Sequence, residues 1–119
     1  MLKASCHCGA VEIQVARRPR LLCDCNCSIC RRYGILWAYY RRKSFKLLRG
    51  RRRLASYLWG KRTLKFFHCR SCGCVTHYEM ARRRPGSAVA VNARLMDPEI
   101  ITRTRIRRFD GAKTWKYLD

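Results

Sequence analysis

Nine cysteines in a chain of 119 residues constrain this protein more than any other feature. They fall into three clusters: Cys6-His7-Cys8-Gly9, then Cys23-Asp24-Cys25-Asn26-Cys27-Ser28-Ile29-Cys30, then Cys69-Arg70-Ser71-Cys72-Gly73-Cys74. The count is odd, and neighbours such as Cys6 and Cys8 or Cys25 and Cys27 bridge each other only with strain. A disulfide framework is therefore disfavoured. The same spacing suits metal chelation, because thiolates bind zinc tetrahedrally and usually arrive as close pairs on tight turns. Glycine follows both Cys8 and Cys72, where such a turn needs a positive φ.

Spacing leaves open which cysteines share a metal. A ribbon-like partition would join Cys27 and Cys30 to Cys69 and Cys72, but the 38 intervening residues exceed the usual loop of roughly 15–20. It would also strand Cys6 and Cys8. Pairing Cys6 and Cys8 with Cys69 and Cys72 gives a closed four-thiolate set and leaves Cys25, Cys27 and Cys30 as a set of three. Four protein ligands mark a structural zinc, whereas three plus an open position mark a catalytic one.

The length suits one domain spanning residues 1–119, small enough to profit from a metal staple. An apolar fraction of 48% argues against disorder. No apolar run approaches the roughly 18 residues a membrane helix needs. The start, Met1-Leu2-Lys3-Ala4-Ser5-Cys6, has no apolar h-region, so a cytoplasmic address is expected. Lys and Arg number 28 against 7 Asp and Glu, a net charge of +21, concentrated at Arg41–Arg53, Arg82–Arg84 and Arg103–Arg108. Such a field attracts polyanions, nucleic acid included.

Val11, Ile13 and Val15 alternate with polar residues, the period-two signature of a strand with one wet face. Leu21–Cys27 reads as extended, with Cys23, Cys25 and Cys27 on one face, and Ser28–Tyr33 as a helical turn. Ile35–Tyr40, Phe45–Leu48, Thr63–His68, Val75–Glu79 and Ser87–Ala93 read as strands, while Leu54–Trp59 fits helix or strand. Asp97-Pro98 marks a helix start, and Thr102–Phe109 suits an exposed edge strand before the Asp110-Gly111 turn. Many short strands at this spacing predict an all-β domain. Trp37, Tyr39, Tyr40, Phe66 and Phe67 are expected in the core. His7, His68 and His77 are read as structural hydrogen-bonding residues rather than ligands.

Cys6-x-Cys8-Gly9, Cys25-Asn26-Cys27-Ser28-Ile29-Cys30-Arg31 and Phe67-His68-Cys69-Arg70-Ser71-Cys72-Gly73 together resemble the glutathione-dependent formaldehyde-activating (GFA) family, which includes centromere protein V. The match continues through Tyr57 and Trp59, Val91-Asn92-Ala93-Arg94-Leu95-Met96-Asp97, and Asp110-Gly111 before Trp115. The resemblance implies a β-tent of short antiparallel strands with knuckle-held metals. It implies two zinc ions, a structural one on Cys6, Cys8, Cys69 and Cys72 and a second on Cys25, Cys27 and Cys30, where glutathione binds. Arg31, Asn92 and Asp110 are the residues it suggests for holding glutathione. Cys23 and Cys74 depart from the pattern, and each is a candidate fourth ligand to the second metal.

Two functions follow as expectations. One is a carbon–sulfur lyase of the glutathione-dependent formaldehyde-activating type, making or breaking S-hydroxymethylglutathione or a related thiol adduct at an open zinc. The other is a zinc-stabilised basic module that docks on nucleic acid or another polyanion through its arginines.

Overall fold

The computed structural model describes residues 1–119. Ten strands and two short helices follow the chain. The strands β1 (Leu2–Ser5), β2 (Glu12–Val15) and β5 (Phe45–Arg49) form a three-stranded antiparallel sheet in the order β1-β2-β5. The remaining strands are β3 (Leu21–Cys25), β4 (Leu36–Arg41), β6 (Leu54–Trp59), β7 (Leu64–Cys69), β8 (Val75–Met80), β9 (Ala88–Asn92) and β10 (Arg105–Phe109). They make a seven-stranded sheet ordered β10-β3-β4-β9-β8-β7-β6. The chain is thus mostly β, as its sequence predicts. One pair departs from the antiparallel rule: β10 runs parallel to β3, with Arg105 opposite Leu21 and Phe109 opposite Cys25.

The large sheet is apolar on both faces, and period-two alternation sorts its side chains. Leu22, Leu36, Ala38, Tyr40, Val89 and Val91 turn to one face and pack against Ala4, Ile13 and Val15 of the small sheet. The alternate residues Cys23, Cys25, Trp37 and Ala90 turn to the other face, where Phe66 joins them. A third cluster, Cys6, Val11 and Cys69, closes the region where the small sheet meets the end of β7.

The ambiguous segment Leu54–Trp59 is a strand because β7 pairs with it along its length, from Leu54↔Cys69 to Trp59↔Leu64. Helix α1 (Ser28–Tyr33) ends at Gly34, whose φ of 66° is left-handed and whose N–H reaches the Cys30 carbonyl. Helix α2 (Pro98–Thr102) starts at Asp97, which accepts from the Glu99 N–H at 3.0 Å. It takes the first residue of the expected edge strand, so β10 begins only at Arg105. No helix is long and apolar enough to cross a membrane.

Candidate metal centres and the cavity beside one of them

Both metal sets suggested by the sequence assemble in space. The Sγ atoms of Cys6, Cys8, Cys69 and Cys72 lie within 4.8 Å of one another, and so do those of Cys25, Cys27 and Cys30. Zinc–sulfur bonds of about 2.3 Å in a tetrahedron put thiolates about 3.8 Å apart. The Cys6–Cys8 and Cys8–Cys69 separations are both 3.7 Å, so the donor set fits such an ion. The two turns have the same construction: Gly9 and Gly73 both take φ of 79°. A Cβ at either would meet nothing within 4 Å, so the backbone conformation and not space demands glycine there. The Gly9 N–H donates to the Cys6 carbonyl at 3.1 Å and the Gly73 N–H to the Cys69 carbonyl at 2.8 Å.

Charge on this four-thiol set is shared unevenly. Backbone N–H groups of Cys8 and Cys74 aimed at Cys72 lower its thiol to about 5. Cys8, beside the Cys69, Cys6 and Cys72 thiols and partly desolvated, is pushed up to about 11 although the Ala10 N–H pulls the other way. Close thiols do not all ionise together unless a cation compensates.

The three-thiol set is local. Cys25 closes β3, Cys27 caps α1 with its Sγ accepting from the Cys30 N–H at 3.5 Å, and Cys30 lies in the first turn. The Cys27 N–H donates to the Cys25 Sγ at 3.5 Å, and buried Trp37 donates its Nε1–H to the Cys30 Sγ at 3.3 Å. The Cys30 thiol donates toward Cys25 and lowers it to about 6, which pushes Cys30 up in turn. Soft sulfur donors already hydrogen-bonded and oriented are what a thiophilic ion selects.

A cavity of about 390 Å³ opens beside these three thiols on the free face of the large sheet. Tyr39 of β4, Phe66 of β7 and Tyr78 of β8 form one side, with the Tyr78 and Tyr39 hydroxyls 3.4 Å apart. Desolvation by the surrounding rings raises both phenols, Tyr39 strongly, with the neighbouring Tyr78 hydroxyl adding to it, and Tyr78 to about 12. Trp59 of β6 lies beyond β7 at one edge of the sheet, and Phe109 of β10, with Trp115 and Tyr117, lines the cavity from the other edge. Phe109 meets Trp115 edge-on at 5.7 Å and Tyr117 at 5.2 Å.

The last ten residues are tied to the thiol loop by Asn26. Its Nδ2 donates to Asp110 Oδ1 at 3.0 Å, and its Oδ1 accepts from the Ala112 N–H at 3.0 Å. Gly111 thereby comes so close that a Cβ on it would stand 2.7 Å from the Cys25 Sγ and 3.2 Å from the Cys27 Cβ.

The residues suggested for glutathione lie apart from the cavity wall. Arg31 is exposed on α1. Asn92 is buried and spends its amide on the Val75 carbonyl at 2.8 Å and the Arg94 N–H at 3.1 Å. Asp110 accepts from Asn26 and Thr114, which hold its carboxyl below the usual range. Cys74 does not approach the second set: it packs with Cys6, Cys69 and Cys72, because the β7–β8 turn that carries it belongs to the four-thiol cluster. Cys23 does line the cavity but lies outside the three-thiol set, and burial raises its thiol. His77 is buried, 2.9 Å from the Thr76 hydroxyl and stacked on Phe67, and burial lowers it to about 3. Trp37, Tyr40 and Phe66 are core as expected, whereas Tyr39 is 45% exposed because its alternation faces the cavity. Phe109 and Tyr117 carried no site signal in sequence; the parallel β3–β10 pairing sets Phe109 opposite Cys25, and a bridge to Phe109 brings Tyr117 with it.

Two comparisons bear on this arrangement. The sequence pattern of the family described as glutathione-dependent formaldehyde-activating enzyme matches residues 1–109. A crystal structure of a Rhodobacter sphaeroides protein superimposes with a TM-score of 0.73 at 34% identity, over 88% of this chain and 99% of that one.

Proposed function

The chain belongs to the glutathione-dependent formaldehyde-activating enzyme family, and from that premise we propose that Cys25, Cys27 and Cys30 hold a functional zinc at which a small thiol, glutathione first, meets an electrophilic carbon. One observation carries this reading: these three thiols converge beside a cavity, one donor short of a tetrahedron. The other set has its four donors and shares no wall with that cavity.

The reaction is carbon–sulfur bond formation or its reverse. The thiol sulfur adds to the carbonyl carbon of formaldehyde, the C=O π pair moves to oxygen, and the thiol proton ends on that oxygen as S-hydroxymethylglutathione. Zinc bound by the three cysteines would supply the Lewis acidity that keeps an incoming thiol ionised at neutral pH.

The chain's own groups do the rest. Trp37 and the Cys27 and Cys30 N–H groups fix the orientation of the three sulfurs. Gly111 leaves the room that Cys25 needs. Tyr39 and Tyr78, held protonated, donate hydrogen bonds to the oxygen on which charge develops. Arg31, one residue past Cys30, meets a glutathione carboxylate from the surface. Asn92 and Asp110 position the loops through the hydrogen bonds they already make. Nine free cysteines fit a reducing, cytoplasmic address.

Glutathione titrated into protein carrying two zinc equivalents tests the reading by calorimetry. Binding at millimolar glutathione or below is expected, lost in Cys27→Ala with one zinc retained. No binding by the fully loaded wild type would overturn it.

A second reading has its own observation. Lys61, Arg62, Arg82 and Arg84 rim a surface depression of about 520 Å³, also lined by Thr63 and Ser87, a chemistry suited to phosphates. Polyanion binding there is expected to collapse between roughly 50 and 200 mM salt if it is purely electrostatic. Duplex DNA binding that survives physiological salt would favour the basic module over the enzyme.

A further inference from the structure

Lysine and arginine make up 28 of the 119 residues, and charged residues overall are 29% of the chain. At that frequency about four of the fourteen residues lining the thiol cavity would be Asp, Glu, Lys or Arg (0.29 × 14); none is, and twelve are hydrophobic. The exclusion is local. The depression at Lys61 and Arg82 is cationic, and so is the one formed by Arg17, Arg18 and Arg20.

An ionised carboxylate moved into such a wall loses its hydration and meets neither Lys nor Arg, and a zinc ion already neutralised by three thiolates offers it no net positive charge, so the cost is several kcal/mol. Glutathione carries two carboxylates, so its ends stay at the mouth and only what is attached to its sulfur enters. A hydroxymethyl group would leave most of the 390 Å³ unfilled. Aromatic edges and faces already converge there: Phe109 against Trp115 at an interplanar angle of 87°, Phe66 against Tyr78 at 4.9 Å. A planar ring is the group that adds a further edge-to-face partner.

We propose that the cavity receives an aromatic or branched apolar substituent, so that this protein's preferred carbonyl substrates are apolar aldehydes rather than formaldehyde. The inference rests on the reading that the incoming thiol meets its electrophile at Cys25, Cys27 and Cys30. The chemistry is the same addition: the sulfur bonds to the aldehyde carbon, the π pair goes to oxygen, and the thiol proton ends there, giving a hemithioacetal. No oxidant or reductant enters. The aldehyde's oxygen faces the Tyr39 and Tyr78 hydroxyls, and its ring lies toward Trp59 and Trp115.

The test uses two thioether probes, S-benzylglutathione and S-methylglutathione, titrated by calorimetry into the zinc-loaded protein. They share the tripeptide and differ only in the apolar group. The benzyl probe is expected to bind at least about tenfold more tightly, as burial of a ring's apolar area predicts. Trp115→Ala, at a residue 72% exposed and so safe for folding, should cut that preference several-fold; Tyr39→Ala is the second variant. Equal affinity for the two probes, or a preference unchanged in both variants, overturns the proposal. Unmodified glutathione separates the two ideas. If it binds in a Cys27-dependent way while the probes bind equally, the cavity assignment fails and the thiol site stands. If the benzyl preference holds while glutathione itself shows no Cys27-dependent binding, the cavity stands and the thiol site fails.

Discussion

Cys6, Cys8, Cys69 and Cys72 come from two turns some 60 residues apart and meet beside Val11 and Leu54. Cys25, Cys27 and Cys30 come from six consecutive residues and meet beside a cavity. The side chain is the same; the chain entropy at stake is not. A clamp across a long loop removes freedom from the unfolded chain, whereas a clamp within one turn removes little. The long-range set is therefore the one the fold depends on. The local set has a scaffold of its own, since β3, α1 and the hydrogen bond from Trp37 hold its sulfurs.

The largest difference should appear on cutting each set once. Cys69 is fully buried, and Cys69→Ser removes a ligand and leaves a hydroxyl in its place. Loss of a structural zinc site of this kind is worth on the order of 10 kcal/mol, more than a small domain has to spare. The variant should be unfolded or insoluble; native-like circular dichroism with unchanged melting would erase the contrast.

Cys27→Ala should do the reverse, abolishing glutathione binding while keeping the fold and one zinc by elemental analysis. Its structural cost is the lost cap of α1, about 1 kcal/mol. Melting that falls as far as in Cys69→Ser would show that the two sets are equivalent.

Gly111→Ala sharpens the comparison without touching a ligand. The added methyl would press on the Cys25 Sγ, far from the other set. Zinc occupancy of the second set should fall and glutathione affinity drop about tenfold, equivalent to about 1.4 kcal/mol. Unchanged affinity would mean that the Asp110 turn moves aside freely.

Acidification should separate the sets by the smallest margin. Cys25 is lowered from 9.0 to about 6 and Cys72 from 9.0 to about 5. A thiol depressed in the fold favours folding in full above the unfolded value of 9.0; the gain shrinks as pH falls and is gone below the folded value. That window closes at higher pH for Cys25. Ligands must be ionised to hold a metal, and the three-thiol set grips its ion with one protein donor fewer than the four-thiol set, so titration downward from neutral pH should release zinc from the three-thiol set first. A zinc-sensitive dye would show two steps; one simultaneous release would contradict the ordering.

Much of this was legible beforehand because it is local. Paired cysteines followed by glycine favour a tight turn with positive φ, and Gly9 and Gly73 both take it at 79°. Alternation along Val11–Val15 and the β-branched, aromatic run Ile35–Tyr40 gave strands, since both signals are properties of consecutive residues. Alternation could not say what each face of the large sheet would meet. Tyr39 was therefore read as core when it lines the cavity, although Trp37 two residues earlier is buried on the same face.

The sequence by itself determined cysteines clustered at chelating spacing and a β-rich chain, because both follow from covalent spacing and local backbone preference; the partition of seven of them into two sets came with the family resemblance. Tertiary structure alone decided that Cys74 packs beside the closed set and that Cys23 lines the cavity. It also decided that β10 runs parallel to β3, carrying Gly111, Trp115 and Tyr117 to Cys25 from more than 80 residues away. Pairings over that distance are chosen by which apolar faces can be buried together, a balance over the whole chain that no window of neighbouring residues contains.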